Sequence, residues 1–204
     1  MATHDTATFM VHGINCDDRG SDTVLQVVPH LAQYSTIYNH AYGRIGPIGA
    51  QFKNKSIARK LVRSVNDWCQ FENNYAVGHS NGCAIILHAL RLGAKFKAIL
   101  LINPALNINA VFPPGDYTIT VIHTKHDSAV KAARFFDAIP FIGWAVPDIW
   151  GAMGARGYTG DDPRVENLDW SAFLDGHSCV FKEEIMNMVG PQMAMQLYPE
   201  AVSV

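Results

Sequence analysis

The sequence predicts an α/β domain: a mostly parallel sheet with helices on both faces. Three observations predict it. Short apolar runs alternate with stretches of helical length and helical period. Several of the short runs are apolar throughout, as strands buried on both faces are. The 204 residues, 49% hydrophobic and 17% charged, suit one domain with a sizeable core. We therefore expect a single domain over 1–204.

The elements follow in order. "TATFMVHG" (6–13) reads as a buried strand ending at a glycine, and "YSTIYNHAYG" (34–43) as a weaker one whose Tyr, Ile and Thr favour extended backbone. "SIARKLVRSVNDWCQF" (56–71) is an amphipathic helix. Ile57, Leu61, Val65 and Trp68 share a face, and Arg59, Lys60, Arg63 and Asn66 look away from it. "NYAVGHS" (74–80) is a strand. "NGCAIILHALRLG" (81–93) is a helix apolar nearly all round, hence buried, stopping at Gly93. "FKAILLINP" (96–104) and "DYTITVIHT" (116–124) are further buried strands, separated by a turn after Pro113 and Pro114. Residues 128–139 can be helical with Ser128 as cap. Residues 140–162 hold glycines and aromatics with no period. "VENLDWS" (165–171) is a last strand, and "SCVFKEEIMNMVG" (178–190) a last helix ended by Gly190 and Pro191.

The formal charge of −2, with no basic block, argues against a nucleic-acid partner. No run approaches the ~20 apolar residues of a spanning helix. The start "MATHDTATFM" lacks the basic flank and apolar core of a secretory signal, so a cytoplasmic protein is expected. The four cysteines show no CxxC spacing, which leaves reduced thiols as the expectation and no metal site. Oligomeric state stays open, and the composition is compatible with a homodimer.

The chemistry concentrates at Gly78-His79-Ser80-Asn81-Gly82, which fits G-x-S-x-G. A strand precedes it and a buried helix follows. Such a corner strains the serine backbone, and side chains two residues to either side would collide, so glycine is used there. The hydroxyl then stands above the sheet near the positive end of a helix. The five-residue pattern alone recurs by chance, and an ordinary loop serine is the alternative. A hydroxyl also needs a base, an orienting acid and oxyanion donors to react.

On these residues the sequence resembles the α/β-hydrolase fold family over nearly its whole length. In that family nucleophile, acid and histidine follow in chain order. Asp127 in "HTKHDSAV" follows the strand 116–124, with Val130 three positions later, and His177 in "DGHSCV" lies between the last strand and the last helix. The resemblance therefore implies a Ser80–His177–Asp127 triad. His123 and His126 adjoin Asp127 in the chain and are poorly placed to face it. His79 is the variable residue of the corner. Asp116 precedes its strand, Asp137, Asp148, Asp161 and Asp162 fall in or near the aperiodic stretch, and Asp175 is a weaker alternative. The first oxyanion donor would be the Asn81 N–H. The second, by resemblance to the family's His-Gly loop, would be the Ile14 N–H, with His12 structural.

The resemblance implies a serine hydrolase without cofactor, acting on a small-molecule acyl ester. Residues 131–163 would form a cap or flap, and the substrate pocket would draw on Asn15, Phe141, Trp144 and Trp150. The aromatics could equally fill a core beneath a long loop. Thioesterase or acyltransferase chemistry, and a non-catalytic binding protein of the same fold, are the alternatives.

Overall fold

In the computed structural model, residues 5–15, 19–68, 71–129 and 151–202 are described. Six strands, β1 (Thr6–Val11), β2 (Thr36–Asn39), β3 (Asn73–His79), β4 (Ala98–Ile102), β5 (Thr118–His123) and β6 (Val165–Asp169), form one sheet in the order β2-β1-β3-β4-β5-β6. Every neighbouring pair is parallel. The helices are α1 (Val28–Leu31), α2 (Pro47–Arg63), α3 (Asn81–Arg91), α4 (Met153–Arg156), α5 (Glu183–Leu197) and α6 (Pro199–Val202).

The period-2 alternation of strands divides the core in two. Phe9 and Val11 of β1, Ala76 of β3, Ile99 and Leu101 of β4 and Val121 of β5 pack with α2 and α3. Met10, Val77, Leu100, Ile102 and Ile122 point to the other face, with α1 and α5. The inner strands β3, β4 and β5 are buried almost throughout, which is why they read as continuous apolar runs. The edge strands β2 and β6 are mostly exposed or half-buried.

Three helix boundaries differ from expectation: α2 starts earlier, and α5, expected from 178, starts at Glu183 after a 3-10 turn at Cys179–Phe181 and ends later. α2 begins at Pro47, nine residues before the periodic stretch; proline suits the first helical position because its missing N–H would be unpaired there anyway. Beyond Arg63 the chain continues through a π-helical turn, Ser64–Trp68. The last helix does not stop at Gly190 and Pro191 but passes through them to Leu197. Gly190 is there for close packing: a methyl on it would lie 2.3 Å from His30 Cδ2. Burial of Met193, Ala194 and Leu197 beyond the proline offsets the ~3 kcal/mol that an interior proline costs. Residues 24–31, which show no clear period, form a short 3-10 turn and α1. The expected helix over 128–139 starts at 128–129 and otherwise lies outside the described residues. Among the described residues no helix is long and apolar enough to cross a membrane.

Candidate active site

The strand order reverses between β1 and β3: β2 lies to one side of them and β4, β5 and β6 to the other. Loops leaving the C-terminal ends of β1 and β3 therefore part in opposite directions and leave a crevice, the usual ligand site of an open parallel sheet. Ser80 follows β3 and Gly13 follows β1. They touch: a methyl on Gly13 would lie 3.1 Å from Ser80 Cβ.

Ser80 has φ 54° and ψ −120°, a conformation that L residues rarely adopt. Backbone bonds hold it there. Its N–H donates to the Ile102 carbonyl at 3.1 Å, and its carbonyl accepts from Cys83 and Ala105, both at 3.2 Å. The flanking glycines are sterically required. A Cβ at Gly82 would sit 2.1 Å from the Val11 carbonyl oxygen, and one at Gly78 2.7 Å from Ile86 Cδ1 and 3.0 Å from the Cys83 nitrogen. Asn81 opens α3, so its N–H belongs to the positive end of that helix.

Asp127 lies beyond β5, and its side chain is fully buried. Its Oδ2 accepts from His177 Nδ1 at 2.7 Å. That bond places a proton on Nδ1, and in the neutral imidazole Nε2 is then the acceptor. α4 closes over the carboxylate so tightly that a methyl on Gly154 would lie 2.8 Å from Oδ2. Gly154 is fixed in turn: its N–H donates to the Pro104 carbonyl at 2.9 Å, and its carbonyl accepts from Thr124 at 3.0 Å.

Two residues outside the expected set hold the histidine loop. The His177 carbonyl accepts from Asn103 Nδ2 at 2.6 Å and from His79 Nε2 at 3.2 Å. The rings of His79 and His177 lie 4.8 Å apart, and Phe181 meets the His79 ring edge to face. Burial, then the nearby His177, pushes the His79 imidazole well below its ordinary pKa, so it is neutral and donates through Nε2. Asn103 is fully buried with φ 43°. Its position just before Pro104, at a strand end, was the only local hint. His79 stands beside the serine, yet its ring turns to the histidine loop. Among the described residues no hydrogen bond joins Ser80 Oγ to His177.

The other expected positions distribute as follows. Ile14 is half-buried after β1, and Asn15 is exposed, with φ 57° and its N–H donating to the Ile45 carbonyl at 3.1 Å. Phe141, Trp144 and Trp150 lie outside the described residues. From 151 onward the chain packs into the domain: Met153 joins the core beside α3, and its N–H donates to the Leu106 carbonyl at 3.0 Å. Asp116 sits before β5, at the far end of the sheet from Ser80, and Asp162 pairs with Arg164 at 2.6 Å. His123, at the end of β5, turns its ring toward Gly157. Clefts of about 500 and 690 Å³ among the described residues are lined by Thr118 and Thr6, at the N-terminal ends of their strands, away from this site.

No family model matches the chain, and no curated protein matches it in sequence. Solved structures do. A serine hydrolase from the polyaromatic-hydrocarbon-degrading bacterium Cycloclasticus zankles superposes with a TM-score of 0.59 at 12% identity, over 94% of this chain and 89% of that one. Mouse alpha/beta hydrolase domain-containing protein 10 gives 0.58 at 11% identity, over 92% and 87%. A carboxylesterase from Mesorhizobium loti gives 0.53 at 14% identity, over 94% and 90%. At such identities the likeness defines the fold, and the fold is that of the α/β-hydrolases.

Proposed function

We propose that the protein is a serine hydrolase that cleaves carboxylic esters through an acyl-enzyme. Ser80 is the nucleophile, His177 the general base and acid, and Asp127 the orienting carboxylate. The Asn81 and Ile14 N–H groups receive the oxyanion. The observation that carries this reading is the bond from half-buried His177 to fully buried Asp127. It stands at the same sheet edge as a serine held at a strained corner between two sterically required glycines.

The chemistry follows from the tautomer. With Nδ1–H engaged by Asp127, Nε2 takes the Ser80 proton as Oγ attacks the ester carbonyl, and the carboxylate stabilises the imidazolium. Nε2 then returns that proton to the departing alcohol, leaving an ester on Ser80. Water, deprotonated by the same nitrogen, cleaves it to the acid and restores the serine. The serine–histidine bond, absent in the resting geometry, is of the kind that tightens only in the substrate complex.

The test is covalent labelling by a fluorophosphonate probe together with turnover of p-nitrophenyl acetate. The wild type should do both and Ser80→Ala neither. An inert wild type would favour a binding protein of the same fold. Product analysis with an added alcohol separates hydrolysis from acyl transfer, and a series of acyl chain lengths defines the pocket.

A further inference from the structure

A buried network beneath the corner links the two loops assigned as oxyanion donors. Asn54 of α2 and Asn81 form a reciprocal amide pair: Asn54 Nδ2 donates to Asn81 Oδ1 at 2.7 Å, and Asn81 Nδ2 to Asn54 Oδ1 at 3.0 Å. Both residues are fully buried. The second Asn81 amide hydrogen reaches the Tyr42 hydroxyl at 3.4 Å. That hydroxyl donates its one proton across two carbonyls, His12 at 2.7 Å and Gly13 at 2.8 Å.

His12 completes the arrangement. Its ring stacks on Tyr42 with centroids 4.0 Å apart. Nδ1 is 2.8 Å from the Gly13 carbonyl, and Nε2 is 3.3 Å from the Tyr42 N–H. The carbonyl can only accept and the amide can only donate. His12 is therefore neutral and carries its proton on Nδ1. The Gly13 carbonyl thus receives two donors, which fixes its direction. A trans peptide is planar, with its N–H opposite its C=O. Fixing the Gly13 carbonyl toward Tyr42 therefore fixes the Ile14 N–H to point the opposite way within that plane. Gly13 itself abuts Ser80.

We propose that Tyr42, His12 and Asn54 are positioning residues for the oxyanion hole, which hold the Ile14 and Asn81 N–H groups in register above Ser80. This rests on the reading under Proposed function. Burying Asn54, Asn81 and His12 against one another and half-buried Tyr42 is costly unless all are satisfied. This set joins the loops of the two donors, from α2 and the Tyr42 loop, and so fixes their mutual geometry rather than the fold at large.

The test uses Tyr42→Phe, which keeps the ring on His12 and removes the hydroxyl. With p-nitrophenyl acetate, kcat should fall about 10–100-fold while KM stays within about threefold, since misplaced donors weaken only the transition state. The inhibition constant of a trifluoromethyl ketone, whose adduct mimics the oxyanion, should rise by the factor by which kcat/KM falls. A purely structural role would not produce that match. His12→Asn, whose amide can replace the Nδ1–H donor, should retain activity that His12→Ala loses, which decides the matter if Tyr42→Phe does not fold. A folded Tyr42→Phe with wild-type kcat, or with an unchanged ketone inhibition constant, overturns the proposal. A wild type inert to ester and fluorophosphonate alike overturns instead the hydrolase reading beneath it.

Discussion

Replacing Asn103 by alanine and, separately, by glycine resolves two effects that this one side chain combines. Both changes remove the 2.6 Å hydrogen bond to the His177 carbonyl, a loss of about 1 kcal/mol. Both also remove Oδ1, a buried oxygen with no partner among the described residues, whose desolvation costs a similar amount. On stability these two terms nearly cancel. What differs is the backbone. Asn103 has φ 43°, and its N–H stays bonded to the Ile122 carbonyl at 2.9 Å, so the conformation is kept. Alanine there is strained by about 1–2 kcal/mol, which glycine avoids, less about 0.4–1 kcal/mol for glycine's looser unfolded chain. The alanine variant should therefore be less stable than the glycine variant by about 1 kcal/mol. For a protein of this size that separates thermal midpoints by about 2–4 °C. Ester turnover should behave otherwise. Both variants lose the same hold on the His177 loop, with His79 still bonded at 3.2 Å. Both should lose about tenfold in kcat/KM, equal within a factor of two. Calorimetry and p-nitrophenyl acetate kinetics on the same samples measure both quantities. Coincident melting temperatures would refute the strain argument, and wild-type kinetics in both variants would refute the clamp.

Two further outcomes are expected. Gly82→Ala should destabilise by about 3 kcal/mol or more, because its Cβ would meet β1 backbone, whereas Gly78→Ala presses partly on a movable isoleucine and should be milder; urea midpoints compare them, and equal midpoints would contradict the steric reading. Stability should also fall on acidification. Folding lowers the His79 pKa from 6.5, so above that value both states are neutral and the group has no effect; below it the unfolded chain binds a proton that the native state refuses. The loss approaches about 1.4 kcal/mol per pH unit until the folded pKa is reached. His79→Gln should flatten the slope between pH 6.5 and 5, leaving the smaller shares of half-buried His40 and buried His123; an unchanged slope would exclude His79 as its source.

Some of this protein was legible along the chain because its causes are local. β3, β4 and β5 are apolar throughout because helices cover both their faces. Gly78 answers to Cys83 and Ile86 of the helix that follows it, whereas Gly82 answers to the Val11 carbonyl at the end of β1, distant in the chain. The start of α2 was obscured because residues 47–55 break the period with Asn54, a polar residue at a fully buried position. Only its partner Asn81, 27 positions away, makes that burial tolerable. Gly190–Pro191 reads as a helix stop by local rules. The helix continues because Gly190 must admit the His30 ring and because apolar contacts lie beyond it.

The sequence by itself determined the alternation of strands and helices, since hydrophobic period acts between near neighbours, and it marked the corner at Ser80 by the G-x-S-x-G pattern. The resemblance paired Asp127 with His177, and the tertiary structure shows them bonded; only the tertiary structure decided that Asn103 and His79 grip the same carbonyl and that Tyr42 ties two loops together. Those contacts depend on strand order and on burial that makes an unpaired polar atom costly, and neither is written in the spacing of residues along one segment.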